Sequence, residues 1–80
     1  MEIKVLGPGC NNCITLNRLV HEAVESLGID ANVTKVEDFP TIVSYGVMST
    51  PALVIDEQLV MSGRVPTPAQ IRELISSALS

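Results

Sequence analysis

Eighty residues suffice for one domain, residues 1–80, and a chain this short buries only about 60% of the surface its unfolded form exposes. The apolar share is 46%, built on aliphatic side chains with one Tyr, one Phe and no Trp, which suits a small core and argues against disorder. Net charge is −4 and the basic residues Lys4, Arg18, Lys35, Arg64 and Arg72 are scattered, so there is no basic stripe for a phosphate backbone and no aromatic platform for bases.

Met1 leads straight into Glu2-Ile3-Lys4-Val5-Leu6, with neither the basic start nor the long apolar run of a signal peptide. No run approaches the ~18 apolar residues of a membrane span. The expected compartment is the cytoplasm, where thiols stay reduced and a paired Cys-x-x-Cys is catalytic or metal-binding more often than structural.

Glu2 to Leu6 reads as a short buried strand, stopped by Gly7-Pro8-Gly9. A helix follows from near Cys10. Its stripe, Leu16, Leu19, Val20, Ala23, Val24 and Leu27, has the spacing of one buried face, and Gly28 is a natural stop. Ala31 to Val36 reads as a second strand, parallel to the first because a helix connects them. Asp38 and Pro40 can open a short helix that Gly46 ends. Ala52 to Ile55 is a strongly apolar strand, Asp56-Glu57 a tight turn, and Leu59-Val60-Met61 the returning strand, closed by Gly63. Thr67-Pro68-Ala69-Gln70 is a capping box for a last helix with the stripe Ile71, Leu74, Ile75, Ala78 and Leu79. The order β-α-β-α-β-β-α predicts an α/β fold, a mixed four-stranded sheet with helices on both faces.

Cys10 and Cys13 stand three apart across the start of the first helix, where Cβ atoms are about 5–6 Å apart, near the separation a disulfide needs. So short a loop restrains the unfolded chain little, which argues against a purely structural bridge. Cys13 precedes Leu16 by three and shares the buried stripe. Cys10 stands beside the unpaired N–H groups and positive end of the helix dipole, which favour thiolate. The pair therefore reads as Cys10 the nucleophile and Cys13 the resolving thiol. Asn11 and Asn12 between them can bond the sulfur or a substrate backbone, or simply be polar residues of a first helical turn.

Gly9-Cys10-Asn11-Asn12-Cys13 after a first strand, with Ser49-Thr50-Pro51-Ala52-Leu53-Val54-Ile55 in the second half, resembles the thioredoxin/glutaredoxin superfamily. The resemblance is greatest to its small glutaredoxin-like thioredoxins, or redox-active disulfide proteins, and spans essentially the whole chain. It implies a minimal thioredoxin-like fold and a thiol–disulfide oxidoreductase that reduces protein disulfides. It also implies a cis-proline at Pro51 facing the cysteines, a Thr50 backbone that pairs with extended substrate, and Gly63 near the same surface. Implied partners are disulfide-containing proteins and a thioredoxin-reductase-like or other thiol reductant. No cofactor, metal, nucleic acid or membrane is expected, and the chain is expected to be a monomer.

The sequence departs from the familiar pattern in three ways. Gly9 replaces a Trp, Asn11-Asn12 replaces Gly-Pro, and the first strand carries no buried acid, only Glu2 and Lys4. Basic residues suited to glutathione are not evident.

The alternative is a soft-metal carrier holding copper or zinc on the same cysteines. Against it, Pro8 stands where such carriers usually have Met, and the chain ends in a capped helix. His21, the single histidine, reads as a surface residue. A non-catalytic interaction module is a further rival, with Tyr45, Val47 and Met48 as an apolar rim near Pro51.

Overall fold

The computed structural model describes every residue except Cys10 and Ser80. Its elements are β1 (Glu2–Leu6), α1 (Asn11–Leu27), β2 (Asn32–Val36), α2 (Phe39–Ser44), β3 (Ala52–Ile55), β4 (Gln58–Ser62) and α3 (Pro68–Leu79). The strands lie in the order β2-β1-β3-β4. β1 and β2 are parallel, with Ile3 opposite Val33. β3 runs antiparallel to β1, placing Leu53 opposite Val5, and β4 antiparallel to β3. This is the mixed four-stranded α/β sheet that the order of elements predicts.

Side chains alternate across a strand, so each central strand feeds two cores. Ile3, Val5, Leu53 and Ile55 pack with Leu16, Val20 and Ala23 of α1 and with Ile71 and Ile75 of α3. Leu6, Ala52 and Val54 pack with Ile42 of α2 and with Val47. β3 is buried at all of its positions because both faces of the sheet are covered. A fully buried aliphatic side chain of this kind contributes about 1.5–3 kcal/mol.

The chain ends each element with local chemistry. At the end of α1, Ile29 N donates to Val24 O and Gly28 N to Glu25 O, with Gly28 at φ 64°, a left-handed cap of the Schellman kind. Asp38 caps α2, accepting from the Thr41 amide and hydroxyl at 3.1 and 2.6 Å. Those two bonds hold its carboxyl below the usual carboxylate range. In α3, Gln70 N donates to Thr67 Oγ1 and Thr67 N to Gln70 Oε1, the reciprocal bonds of a capping box. Asp56 and Glu57 take φ 48° and 69°, the paired left-handed conformation of a two-residue hairpin turn.

Three sequence expectations need correction. β2 begins at Asn32, not Ala31. Ala78 and Leu79 are exposed, because the surface beneath α3 ends at Ile75; periodicity tells which face a residue shares, not how far the opposing surface extends. Tyr45 and Val47 form no rim: Val47 is buried in the second core and Tyr45 packs against it, leaving Met48 alone outward. In β4, Leu53 faces Met61 while Val54 faces Leu59, so Val60 is an extra residue, a bulge in the edge strand. Among the described residues no helix is long and apolar enough to cross a membrane.

Tyr45 owes its position to a polar cluster on the α2 side of the sheet. Lys4 Nζ donates to Tyr45 Oη and Glu57 Oε1, both at 2.6 Å, and Tyr45 Oη donates to Glu57 Oε2 at 2.8 Å. Lys4 Nζ also lies 5.2 Å from the Tyr45 ring centre. The bond from Lys4, and then that from Tyr45, pulls the Glu57 carboxyl below its ordinary 4.5. The same bonds, Glu57 first, raise the Lys4 ammonium. A carboxyl depressed by folding stabilises the native state above its unfolded pKa, and that stability is lost as pH falls through the folded value. Glu57→Gln should therefore flatten the loss of thermal stability below about pH 4.5, read from melting temperature against pH. An acid limb as steep as the parent's would show that the cluster contributes nothing there.

Candidate functional site

β1 delivers the chain to the site. Past Leu6, Gly7 N donates to Val36 O at 2.8 Å, extending the parallel pairing by one residue. Pro8 and Gly9 then turn the chain into α1, and Gly9 takes φ 89°, where a side chain would be strained. Cys13 lies in the first turn of α1 on the stripe of Leu16 and Val20. It is 5% exposed and disulfide-bonded. Burial of the second cysteine agrees with the stripe. The first, Cys10, lies outside the described residues, so its expected exposure does too.

Gly7 is the hub of the site. A methyl group on it would run into Cys13 Sγ, stand 3.2 Å from Cys13 Cβ and lie 3.7 Å from Thr50 Cβ. The missing side chain therefore leaves space that the buried sulfur takes up, with Thr50 at contact distance of the same point. The Thr50–Pro51 bond is cis and Pro51 is fully buried. Gly63 N donates to Pro51 O at 2.8 Å, tying the end of β4 to the same loop. Gly63 takes φ 81°, which favours glycine, and a methyl group there would also stand a tight 3.2 Å from Ser49 Cβ.

The structure thus brings Cys13 and Thr50 together at Gly7 and ties Gly63 to Pro51, the residue after Thr50. Asn11 and Asn12 are exposed at the helix start, and Asn11 O accepts from Thr15 Oγ1. Sequence reasoning did not foresee that Gly7 makes room for Cys13 Sγ, since that proximity arises when strand and helix pack. It also passed over Glu37, whose carboxylate approaches Gly9.

His21 is exposed on α1, and among the described residues no three His, Cys, Asp or Glu side chains converge as a metal site. A cavity of about 270 Å³ opens between β4 and α3, lined by Met61, Arg64 and Glu73 among others. Its lining includes none of Cys13, Thr50, Pro51 and Gly63.

Comparison with known proteins agrees with this geometry. The family model of the thioredoxin domain matches residues 1–76. A thioredoxin of Methanothermobacter thermautotrophicus is 37% identical over 76 residues, covering 95% of this chain and 99% of that protein. A thioredoxin of Methanocaldococcus jannaschii is 38% identical over 77 residues, covering 96% of this chain and 88% of that one. A buried helix-start cysteine, a cis-proline segment beside it and these matches along nearly the whole sequence lead to one conclusion: the chain belongs to the thioredoxin family, a family of thiol–disulfide oxidoreductases.

Proposed function

We propose that this chain reduces protein disulfides through the dithiol Cys10 and Cys13. The supporting observation is the setting of Cys13: buried in the first turn of α1, against the space left by Gly7, with Thr50 near the same space. Cys10 thiolate attacks one sulfur of a substrate disulfide, breaking the S–S bond and releasing the first substrate thiolate. Cys13, as thiolate, then attacks the Cys10 sulfur of the mixed disulfide. The second substrate thiolate leaves, and a Cys10–Cys13 disulfide remains. Two electrons have passed to the substrate, whose thiolates take up protons, and an external thiol or flavin-linked reductase restores the dithiol.

The surrounding residues have passive roles in this reading. The Thr50 backbone pairs with an extended substrate segment, Pro51 and Gly63 shape the surface that receives it, and Asn11 and Asn12 border it. The site needs no resident metal or organic cofactor, and the chain works as a monomer in the cytoplasm.

Alkylation rate against pH tests the assignment. The reduced protein should show one fast thiol with a pKa below the ordinary ~8.5. It should vanish in Cys10→Ser and persist in Cys13→Ser. Two thiols reacting alike, with ordinary pKa, would refute the division of roles. Titrating the same reduced sample with Cu(I) or zinc addresses the carrier alternative: tight thiolate-linked binding without disulfide turnover would replace the oxidoreductase reading.

A further inference from the structure

Glu37 follows the last residue of β2, and nothing in the dithiol chemistry above uses it. Two contacts bring it to the active-site loop. Gly7 N donates to the carbonyl of Val36, the residue just before Glu37. A methyl group on Gly9 would stand 3.9 Å from Glu37 Oε2. The carboxylate therefore lies beside the residue that precedes Cys10 in the chain. Glu37 is exposed, and among the described residues no Lys or Arg forms an ion pair with it.

The other charges nearby do not duplicate this position. Asp38 spends its carboxylate on the Thr41 cap. Lys35 precedes Val36 on edge strand β2, and Arg64 follows Gly63, on the Pro51 side of the site. Cys10 follows Gly9 directly in the chain, so the groups flanking a disulfide that Cys10 attacks come within electrostatic reach of the Glu37 carboxylate.

We propose that Glu37 sets the charge preference of the reaction, favouring disulfides flanked by cations and disfavouring those flanked by carboxylates. This rests on the oxidoreductase reading. Glu37 acts as a specificity-determining residue: it makes and breaks no bond, and it biases which disulfide approaches. For a substrate charge about 8 Å away in a water-rich setting, Coulomb interaction amounts to about a three- to tenfold change in rate for opposite against like charge.

The test is single-turnover oxidation of the reduced protein by cystamine (a dication), 2-hydroxyethyl disulfide (neutral) and 3,3′-dithiodipropionate (a dianion), at low ionic strength. The three reagents differ in intrinsic reactivity, so the readout is the cystamine-to-dithiodipropionate rate ratio compared between variants, in which those differences cancel. A general change in Cys10 reactivity cancels as well. Glu37→Gln should lower the ratio about three- to tenfold and leave Glu37→Asp near the parent. Glu25→Gln, an equal change in net charge at the far end of α1, should lower it much less. In about 1 M NaCl, where the Debye length is about 3 Å, parent and Glu37→Gln ratios should converge. An unchanged ratio in Glu37→Gln, or an equal fall in Glu25→Gln, overturns the inference while leaving the oxidoreductase reading intact. Oxidation of the parent by all three reagents no faster than that of Cys10→Ser overturns the oxidoreductase reading, and this inference with it.

Discussion

Cys13→Ser protein, reduced and mixed with a disulfide-containing protein, should accumulate as a covalent one-to-one complex that thiol reductant dissolves. The reason lies in the order of bond changes. Attack by Cys10 needs only an accessible thiolate, so the first step survives the substitution. Release needs a second sulfur within reach of Cys10, and serine at position 13 has an oxygen that cannot displace a thiolate from sulfur at useful rates. Cys10→Ser should fail earlier, with reduction at the uncatalysed background and no complex, because Cys13 is 5% exposed and hidden from a macromolecular disulfide. Non-reducing electrophoresis with a stopped-time alkylation quench reads both outcomes. Trapping by Cys10→Ser instead would exchange the roles of the two thiols. Absence of trapping by either, with normal folding, would remove the proposed mechanism.

The largest expected effect outside the cysteines is at Gly7. Gly7→Ala adds one methyl group at a position with no left-handed backbone to strain, so its cost is purely steric. That methyl would occupy space held by Cys13 Sγ, and Thr50 Cβ already stands at van der Waals contact, 3.7 Å from the same point. Overpacking of this kind costs about 1–3 kcal/mol. In a domain of this size each kcal/mol shifts the melting temperature by about 4–8 °C. The site should suffer as well, since moving either Cys13 or Thr50 changes the resolving sulfur's setting.

A double-mutant cycle under reducing conditions isolates the contact. Cys13→Ala removes the sulfur, so Gly7→Ala in that background should cost well under its cost in the parent. Strict additivity of the two substitutions would mean that the sulfur is not what the methyl group meets.

How much of this was readable before folding differs from residue to residue. The helix stripe of Leu16, Val20 and Ala23, the Gly28 cap, the Thr67–Gln70 box and the Asp56-Glu57 turn are local: each depends on residues within a few positions, and the structure bears them out. Burial of Cys13 followed from the same stripe. The cis bond before Pro51 was implied by family resemblance, as local preference alone would favour trans. Expectations failed where a surface had to be found for a side chain. Ala78 and Leu79 continue a periodic face past the point where anything opposes it, and Tyr45 turned inward to meet Lys4 and Glu57, residues far from it in sequence.

The sequence by itself determined the order of elements, the ends of the helices and the burial of Cys13. Those features arise from hydrogen bonds and periodic burial among near neighbours along the chain. Tertiary structure alone decided that Cys13 and Thr50 both meet the space left by Gly7, that Gly63 is bonded to Pro51, and that Glu37 stands beside Gly9. Those contacts join residues that meet only when β1, β2 and β3 pair in register and α1 packs across them, and register belongs to the whole sheet.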